Sequence, residues 1–178
     1  MRIISGRFGG RHFYPPADKW PTRPTTDIAK EGLFNVLNNR LDWESVKMLD
    51  LFGGTGNHCF EFISRGCENT TYVDKFVGCI RFVHDLKKKL LLDKELTVVK
   101  SDVFKYINSC TERYDYIFAG PPYPLHNIPD IPDLIFEKEL LNPEGLFVLE
   151  TNQMHNFRDH VHFKELRKYG TTYFWFFE

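Results

Sequence analysis

Hydrophobic and polar positions along the chain fall into a regular alternation of short apolar runs and amphipathic stretches. Leu33, Phe34, Leu37 and Leu41 recur at helical spacing, so a helix is predicted there, capped by Thr25 or Thr26 with Asp27 in its first turn. Lys47–Phe52 is an apolar run ended by glycines and reads as a buried strand. Residues Asn57–Arg65 then read as a helix stopped by Gly66, Asn69–Asp74 as a strand, and Val77–Leu92 as a helix with Ile80, Val83 and Leu90 towards one side. Strand Leu96–Lys100, short helix Val103–Ser109, strand Tyr114–Ala119, helix Asp130–Leu141 and strand Gly145–Glu150 continue the pattern. Val161–Lys168 and Thr171–Phe177 flank Gly170 and predict an antiparallel hairpin. Strands alternating with helices imply βαβ units and a mainly parallel, doubly wound α/β sheet, here closed by that hairpin.

The start of the chain differs. Arg2–Tyr14 is a mixture of apolar residues, glycine and arginine without a long hydrophobic face, and Pro15-Pro16 ends it. It predicts a basic β-hairpin extension over residues 1–16 of a single domain spanning 1–178. A chain of 178 residues suits one domain with a sizeable core. No apolar run approaches the roughly 20 residues of a membrane span, and the first residues lack a secretory signal, so the cytoplasm and no membrane partner are expected.

Charge changes the picture through its distribution. The net charge is −1, yet residues 1–40 carry seven Lys/Arg against three acids, and the remainder carries sixteen against twenty-one. A basic arm on an acidic body is a phosphate-contacting element or a solvated hairpin with ordinary surface charge, and charge alone leaves both open. The four cysteines show no CxxC spacing, and His155, His160 and His162 have no cysteine or glutamate beside them at ligand spacing, so neither disulfides nor a metal site are expected.

Four strand ends carry candidate chemistry, and in an open α/β sheet ligands sit beyond the carboxyl ends of the strands. Asp50 to Asn57 holds Gly53, Gly54 and Gly56, which let a backbone pass close to a ligand. Asp74 lies eighteen residues past Gly56, where an acid typically binds ribose hydroxyls. Ser101-Asp102 follows the third strand, and Gly120-Pro121-Pro122-Tyr123 the fourth. A dinucleotide dehydrogenase accounts for the first two only, and its third fingerprint glycine would fall at Cys59.

With these residues in view, the chain resembles the bacterial 16S ribosomal-RNA guanine-N2-methyltransferase family of the RsmD type over nearly its whole length. The resemblance lies in Arg2-Ile-Ile-Ser-Gly6 with Arg7 and Arg11, in Thr22-Arg-Pro-Thr-Thr-Asp27 followed by Glu31, Leu33, Phe34 and Asn35, in Asp50-Leu-Phe-Gly-Gly-Thr-Gly56 with Glu61 and Ser64-Arg65-Gly66, and in Tyr169-Gly170 before an aromatic strand. It implies a class I S-adenosylmethionine-dependent methyltransferase fold, Rossmann-like, with a seven-stranded, mainly parallel sheet and an antiparallel C-terminal strand. It implies S-adenosyl-L-methionine as cofactor and 16S rRNA or the small ribosomal subunit as partner, with the protein acting as a monomer. Carried over position by position, the Gly53–Gly56 backbone approaches the methionine part, Asp74 takes the ribose hydroxyls and Asp102 the adenine amine. Arg23 and Thr25 lie over the cofactor pocket, Asp50, Phe52, Thr55, Lys75 and Val103 complete its wall, and Arg2, Arg7 and Arg11 grip RNA. The methyl is expected to pass directly from sulfur to nitrogen.

The family's catalytic motif is Asp or Asn followed by Pro-Pro-Tyr or Pro-Pro-Phe, and here the first position is Gly120. A base's exocyclic amine has its lone pair delocalised into the ring, so a side-chain oxygen and a main-chain carbonyl are needed to accept its N–H bonds and orient it. Losing one such acceptor costs on the order of 10²–10³ in rate, by analogy with oxyanion-hole deletions. Pro121 and Pro122 can still fix the loop and Tyr123 can still stack on a flipped base. Three readings stay open: turnover through a substitute acceptor, a weakened member that keeps cofactor and RNA binding, or a chance change of Asp at one position. Adenine-N6 methylation of DNA is the second enzymatic reading, since the same Pro-Pro-Tyr motif serves it, although base-edge readout there usually needs a further domain.

Overall fold

The computed structural model describes residues 1–16, 20 and 25–178. Thr22, Arg23 and Pro24, at the heart of the most distinctive sequence signature, lie outside these residues. The chain runs α1 (Asp27–Leu37), β1 (Lys47–Leu51), α2 (Asn57–Ser64), β2 (Asn69–Asp74), α3 (Val77–Lys89), β3 (Leu96–Lys100), α4 (Val103–Ser109) and β4 (Tyr114–Ala119). A 3₁₀ turn (Ile128–Asp130) leads into α5 (Ile131–Glu137), followed by β5 (Leu141–Thr151), β6 (Phe163–Tyr169) and β7 (Thr172–Phe177).

All seven strands form one sheet in the order β3-β2-β1-β4-β5-β7-β6. Pairing is parallel from β3 through β5, and β7 runs antiparallel to both β5 and β6. Strand β1 is buried from Met48 to Leu51 because both sheet faces are covered, which is why its sequence lacks polar alternation. One face packs Leu33, Phe34 and Leu37 of α1 with Phe60 and Phe62 of α2 and Val83 of α3. The other packs Ile107 of α4 and Ile131 and Ile135 of α5 with Ile117, Phe147 and Trp175. From β1 the chain winds outwards to β2 and β3, then returns to β4 and winds the other way. The crevice at the carboxyl ends of β1 and β4 is therefore the topological switch point, where such sheets bind ligands.

Two expectations need correction. The expected helix Asp130–Leu141 stops at Glu137, and β5 begins at Leu141. The helix ends because Glu139 takes the left-handed conformation, with φ at 51°, and Leu140 N–H turns back to the Ile135 carbonyl at 3.1 Å. The expected N-terminal β-hairpin is a looped hairpin with a single β-bridge, Arg2 to His12. Its outer chain still pairs, Ile3 N–H to the Arg11 carbonyl at 3.0 Å and Phe13 N–H to the Met1 carbonyl at 2.9 Å. Its tip, however, folds down onto α2 instead of extending a ladder. Arg7 N–H donates to the Ser64 carbonyl at 2.7 Å, and Phe8 N–H to Ser64 Oγ at 2.9 Å. Gly6 makes this approach possible: with φ at +81°, a Cβ there would lie 1.8 Å from the Ser64 carbonyl oxygen.

Candidate active site

Asp50 is the one polar residue of β1 after Lys47, fully buried at the mouth of the glycine loop. Burial pushes its carboxyl up to about 7; a hydrogen bond from the Cys59 thiol, 3.1 Å away, works in the opposite direction, and the nearby Asp74 and Glu150 add to the rise. Beyond it Phe52 takes a positive φ of 61°, Gly54 52° and Gly56 73°, so the chain turns sharply before α2 starts. Gly53 packs flat against the Tyr72 ring, where a Cβ would come within 2.3 Å of two ring carbons. The Tyr72 hydroxyl donates to the Gly54 carbonyl at 2.7 Å, fixing the loop from below.

Asp74 ends β2 and holds the loop from the side. One carboxylate oxygen accepts Gly54 N–H at 2.9 Å and the other accepts Phe76 N–H at 2.8 Å. Each oxygen has a second lone pair, so the same group can also accept from a ligand's hydroxyls. Asp102 caps α4, accepting the N–H groups of Phe104 at 3.1 Å and Lys105 at 3.4 Å, and pairs with Lys75 at 3.3 Å. Partial burial works against its charge, but the Lys75 ammonium and those main-chain N–H groups outweigh it and hold the carboxyl below its ordinary value.

On the other side of the switch point, Gly120 N–H donates to the Leu51 carbonyl at 3.2 Å, tying the Gly120–Tyr123 turn to β1. The Pro122 carbonyl accepts Leu125 N–H at 2.9 Å, which closes the turn. Tyr123 leans onto β5, its hydroxyl 3.4 Å from the Thr151 carbonyl. At Gly120 a Cβ would meet only the Phe118 ring, at 3.2 Å, and φ is not positive, so the backbone does not itself demand glycine.

These elements enclose one cavity of about 730 Å³, within the range of roughly 300–1,000 Å³ usual for small-molecule sites. Of the expected site residues, Thr25, Asp50, Phe52, Gly53, Gly54, Thr55, Asp74, Lys75, Asp102, Val103 and Gly120–Tyr123 all line it. Gly56 does not; it serves as the left-handed N-cap of α2. Arg23 lies outside the described residues. Arg2, Arg7 and Arg11 stand away from the cavity, Arg2 against Asp27 at 3.2 Å, Arg7 against Glu95 at 3.0 Å, and Arg11 over the Phe8 ring at 5.2 Å.

Several lining residues were not singled out from sequence. His58 stacks on Phe118 with ring centroids 3.8 Å apart and bonds the Tyr116 hydroxyl at 3.0 Å; burial, then the Lys30 charge, keep it neutral. Lys30 reaches from α1 to the Asn57 side chain at 2.8 Å and to Glu61 at 2.8 Å. Glu150, at the end of β5, accepts the Thr25 hydroxyl at 2.5 Å. Thr25 is thus engaged across the cavity, and Thr26 is the residue that caps α1. Glu61, which the resemblance groups with the cofactor loop, is instead turned away from the cavity and accepts Ile4 and Ser5 N–H at 2.7 and 3.0 Å.

A nucleotide-like cationic cofactor fits this donor set. Two acids flank the glycine loop at successive strand ends, the loop backbone is exposed to close approach, and a buried carboxyl that ordinarily keeps its proton becomes a partner for a ligand's positive charge.

Comparison with known proteins places these features in a group. The family model described as conserved hypothetical protein 95 matches residues 1–178. The Bacillus subtilis protein named "Putative rRNA methyltransferase YlbH" is 35% identical over 153 residues, covering 84% of this chain and 82% of its own. The Haemophilus influenzae ribosomal RNA small subunit methyltransferase D is 29% identical over 161 residues, covering 86% of this chain and 79% of its own. Among solved structures, "Putative methyltransferase yhhF" from Escherichia coli superposes with a TM-score of 0.85 at 22% identity, over 99% of this chain and 96% of that one.

Proposed function

The chain belongs to the conserved hypothetical protein 95 family of RsmD-type rRNA methyltransferases, with the class I S-adenosylmethionine-dependent fold, and on that premise we propose that it methylates the exocyclic N2 of a guanine in 16S rRNA. The carrying observation is the single cavity in which the glycine loop, Asp74, Asp102 and the Gly120–Tyr123 turn meet. Bound S-adenosylmethionine supplies an electrophilic methyl on a sulfonium sulfur. Asp74 and Asp102 hold the nucleoside end, and the Gly53–Gly54 backbone, with Thr25 and Asp50, frames the methionine end. Tyr123, at the rim and anchored to Thr151, offers its ring to a base flipped out of its stack. The Pro121-Pro122 dipeptide makes that turn rigid and so pre-orients the base. The small-subunit name of the Haemophilus influenzae relative supports small-subunit rRNA, free or in the subunit, as the partner, and favours rRNA over DNA. The protein acts in the cytoplasm as a monomer. Among the described residues no helix is long and apolar enough to cross a membrane.

Incubation with undermodified small ribosomal subunits and methyl-labelled cofactor, followed by nucleoside analysis, tests this. Label is expected in N2-methylguanosine. Label in N6-methyladenosine, or none while S-adenosylhomocysteine binds normally and a Gly120→Asp variant labels guanine, overturns the proposal of turnover for this sequence. That second outcome would favour the binding-only reading, whose support is Gly120 itself.

A further inference from the structure

We propose that His12 and Tyr14 form an aromatic slot on the N-terminal segment that takes one unpaired base of the substrate RNA, other than the base that is methylated; the proposal rests on the rRNA reading above.

The slot follows from how the two chains of the looped hairpin pair. Arg2 and His12 face each other across its β-bridge. The flanking bonds, from Ile3 N–H to the Arg11 carbonyl and from Phe13 N–H to the Met1 carbonyl, make them a non-hydrogen-bonded pair. In such a pair the two side chains lie on one face and approach most closely. Their neighbours along each chain point the other way. Ile3 is fully buried, and Met1 and Phe13 pack against the core beneath. Arg2, His12 and Tyr14 therefore share the face turned to solvent.

Tyr14 leaves 84% of its surface in water. Its ring stands nearly parallel to that of His12, at an interplanar angle of 21° with centroids 6.3 Å apart. Residues two apart on an extended chain are separated by about 6.6 Å, which is the origin of this spacing. Stacked bases repeat every ~3.4 Å, so a base held between two rings needs roughly twice that, and the His12–Tyr14 gap falls short by only about half an ångström. Pro15 biases Tyr14 to extended backbone, so the spacing is set before RNA arrives. Unpaired bases can be splayed out and stacked on aromatic rings, whereas a duplex keeps its bases inside. Charge on the same face suits a nucleic acid: Arg2 stands across the bridge from His12, its guanidinium 3.2 Å from Asp27 at the start of α1. The face also borders the cavity, because the Lys30 ammonium, which lines it, donates to the Arg2 carbonyl at 2.9 Å.

The test uses the full chain saturated with S-adenosylhomocysteine and a fluorescent, undermodified 16S rRNA fragment. Anisotropy is read from low to moderate salt near pH 8, about where an ordinary histidine is neutral. Loss of a stacking ring lowers affinity by roughly fivefold or more. Tyr14→Ala and His12→Ala are each expected to weaken binding by about that factor with an unchanged salt slope, since no phosphate contact is lost. Tyr14→Trp, which stays flat, is expected to bind as the wild type does, and Tyr14→Leu, apolar but not flat, to behave as Tyr14→Ala. The two alanine substitutions combined are expected to lose less than the sum of their single effects, because both rings hold one base. Tyr14→Trp also reports the contact directly: emission beyond that of the three native tryptophans is expected to be quenched as RNA is added. Both side chains are exposed, and circular dichroism checks that each variant is folded. Tyr14→Leu binding as tightly as the wild type, or Tyr14→Trp emission unchanged by RNA, overturns the slot and leaves the rRNA reading standing. A wild type that does not bind the fragment removes the rRNA reading and the slot together.

Discussion

Lys30 and Glu61 form an ion pair at 2.8 Å with side chains only 2% and 0% exposed, and this pair joins the N-terminal segment, α1 and α2 behind the cofactor loop. Lys30 also donates to the Arg2 carbonyl at 2.9 Å, while Glu61 takes Arg65 at 2.9 Å and two main-chain N–H groups of the N-terminal segment. Burial brings the Lys30 ammonium below its ordinary pKa despite Glu61; for Glu61, Lys30 and Ile4 N–H outweigh burial and hold the carboxyl low.

Removing one partner of a buried pair costs about 3–5 kcal/mol when the other charge is left uncompensated, and with Arg65 still on Glu61 the lower end of that range applies. Lys30→Met is therefore expected to lower the unfolding free energy by roughly that amount in denaturant titration. The double variant Lys30→Met/Glu61→Gln should recover part of the loss. A loss below about 1 kcal/mol for Lys30→Met would show that the pair is hydrated and does not clamp the N-terminal segment.

The Asp50 carboxyl gives a pH signature. In the unfolded chain it ionises near its ordinary value of 3.8, and in the folded protein burial holds its proton up to about 7. Between these values the folded state binds more protons, so its stabilising contribution is fully present below pH 3.8 and declines as pH rises towards 7, by roughly 4 kcal/mol at most. Subtracting the pH–stability curve of Asp50→Asn from that of the wild type is expected to isolate this decline. Binding follows the opposite trend. S-adenosylmethionine is cationic, ionised Asp50 attracts it, and its affinity is expected to rise by up to about tenfold per pH unit below 7 and then flatten. A calorimetric profile that is flat from pH 5 to 8 would show that Asp50 does not change protonation when the cofactor binds.

Strand bounds were legible wherever an apolar run meets a glycine or acid. Asn69–Asp74, Leu96–Lys100 and Tyr114–Ala119 read directly from sequence because turn residues bracket them. Sequence alone makes helix α5 too long because Ile131, Leu134 and Ile135 set up a helical period that reaches Leu141, while the left-handed turn at Glu139 that ends it carries no glycine or asparagine to mark it. The glycine-loop side of the cavity was legible because Asp50 and Asp74 stand at strand ends and Asp102 just past one. Glu150 also terminates a strand, but nothing local marks it; its place in the cavity depends on which strands pair and in what register, a non-local fact. Lys30 is marked in the sequence: it precedes Leu33, Phe34 and Leu37 by three, four and seven residues, so a lysine stands on the apolar face of α1. A cation there needs a buried partner, and Glu61 is that partner.

The arginines of the N-terminal segment differ in what they must give up to meet RNA. Arg7 is engaged with Glu95 at 3.0 Å and lies 4.9 Å over the Phe8 ring. Arg11 is exposed and, among the described residues, pairs with no carboxylate; its guanidinium rests over the same ring at 5.2 Å. A phosphate contact from Arg7 must first displace an ion pair worth up to about 1 kcal/mol, whereas one from Arg11 displaces only water and a weak ring contact. Arg11→Ala is therefore expected to weaken 16S RNA binding by severalfold and to lower the slope of log affinity against log salt by about 1. Arg7→Ala should cost less affinity at the same salt. Glu95→Gln, which frees Arg7, should strengthen binding. Fluorescence anisotropy with an undermodified 16S fragment between low and moderate salt measures all three, and an unchanged salt slope in Arg11→Ala would take this arm out of the RNA interface.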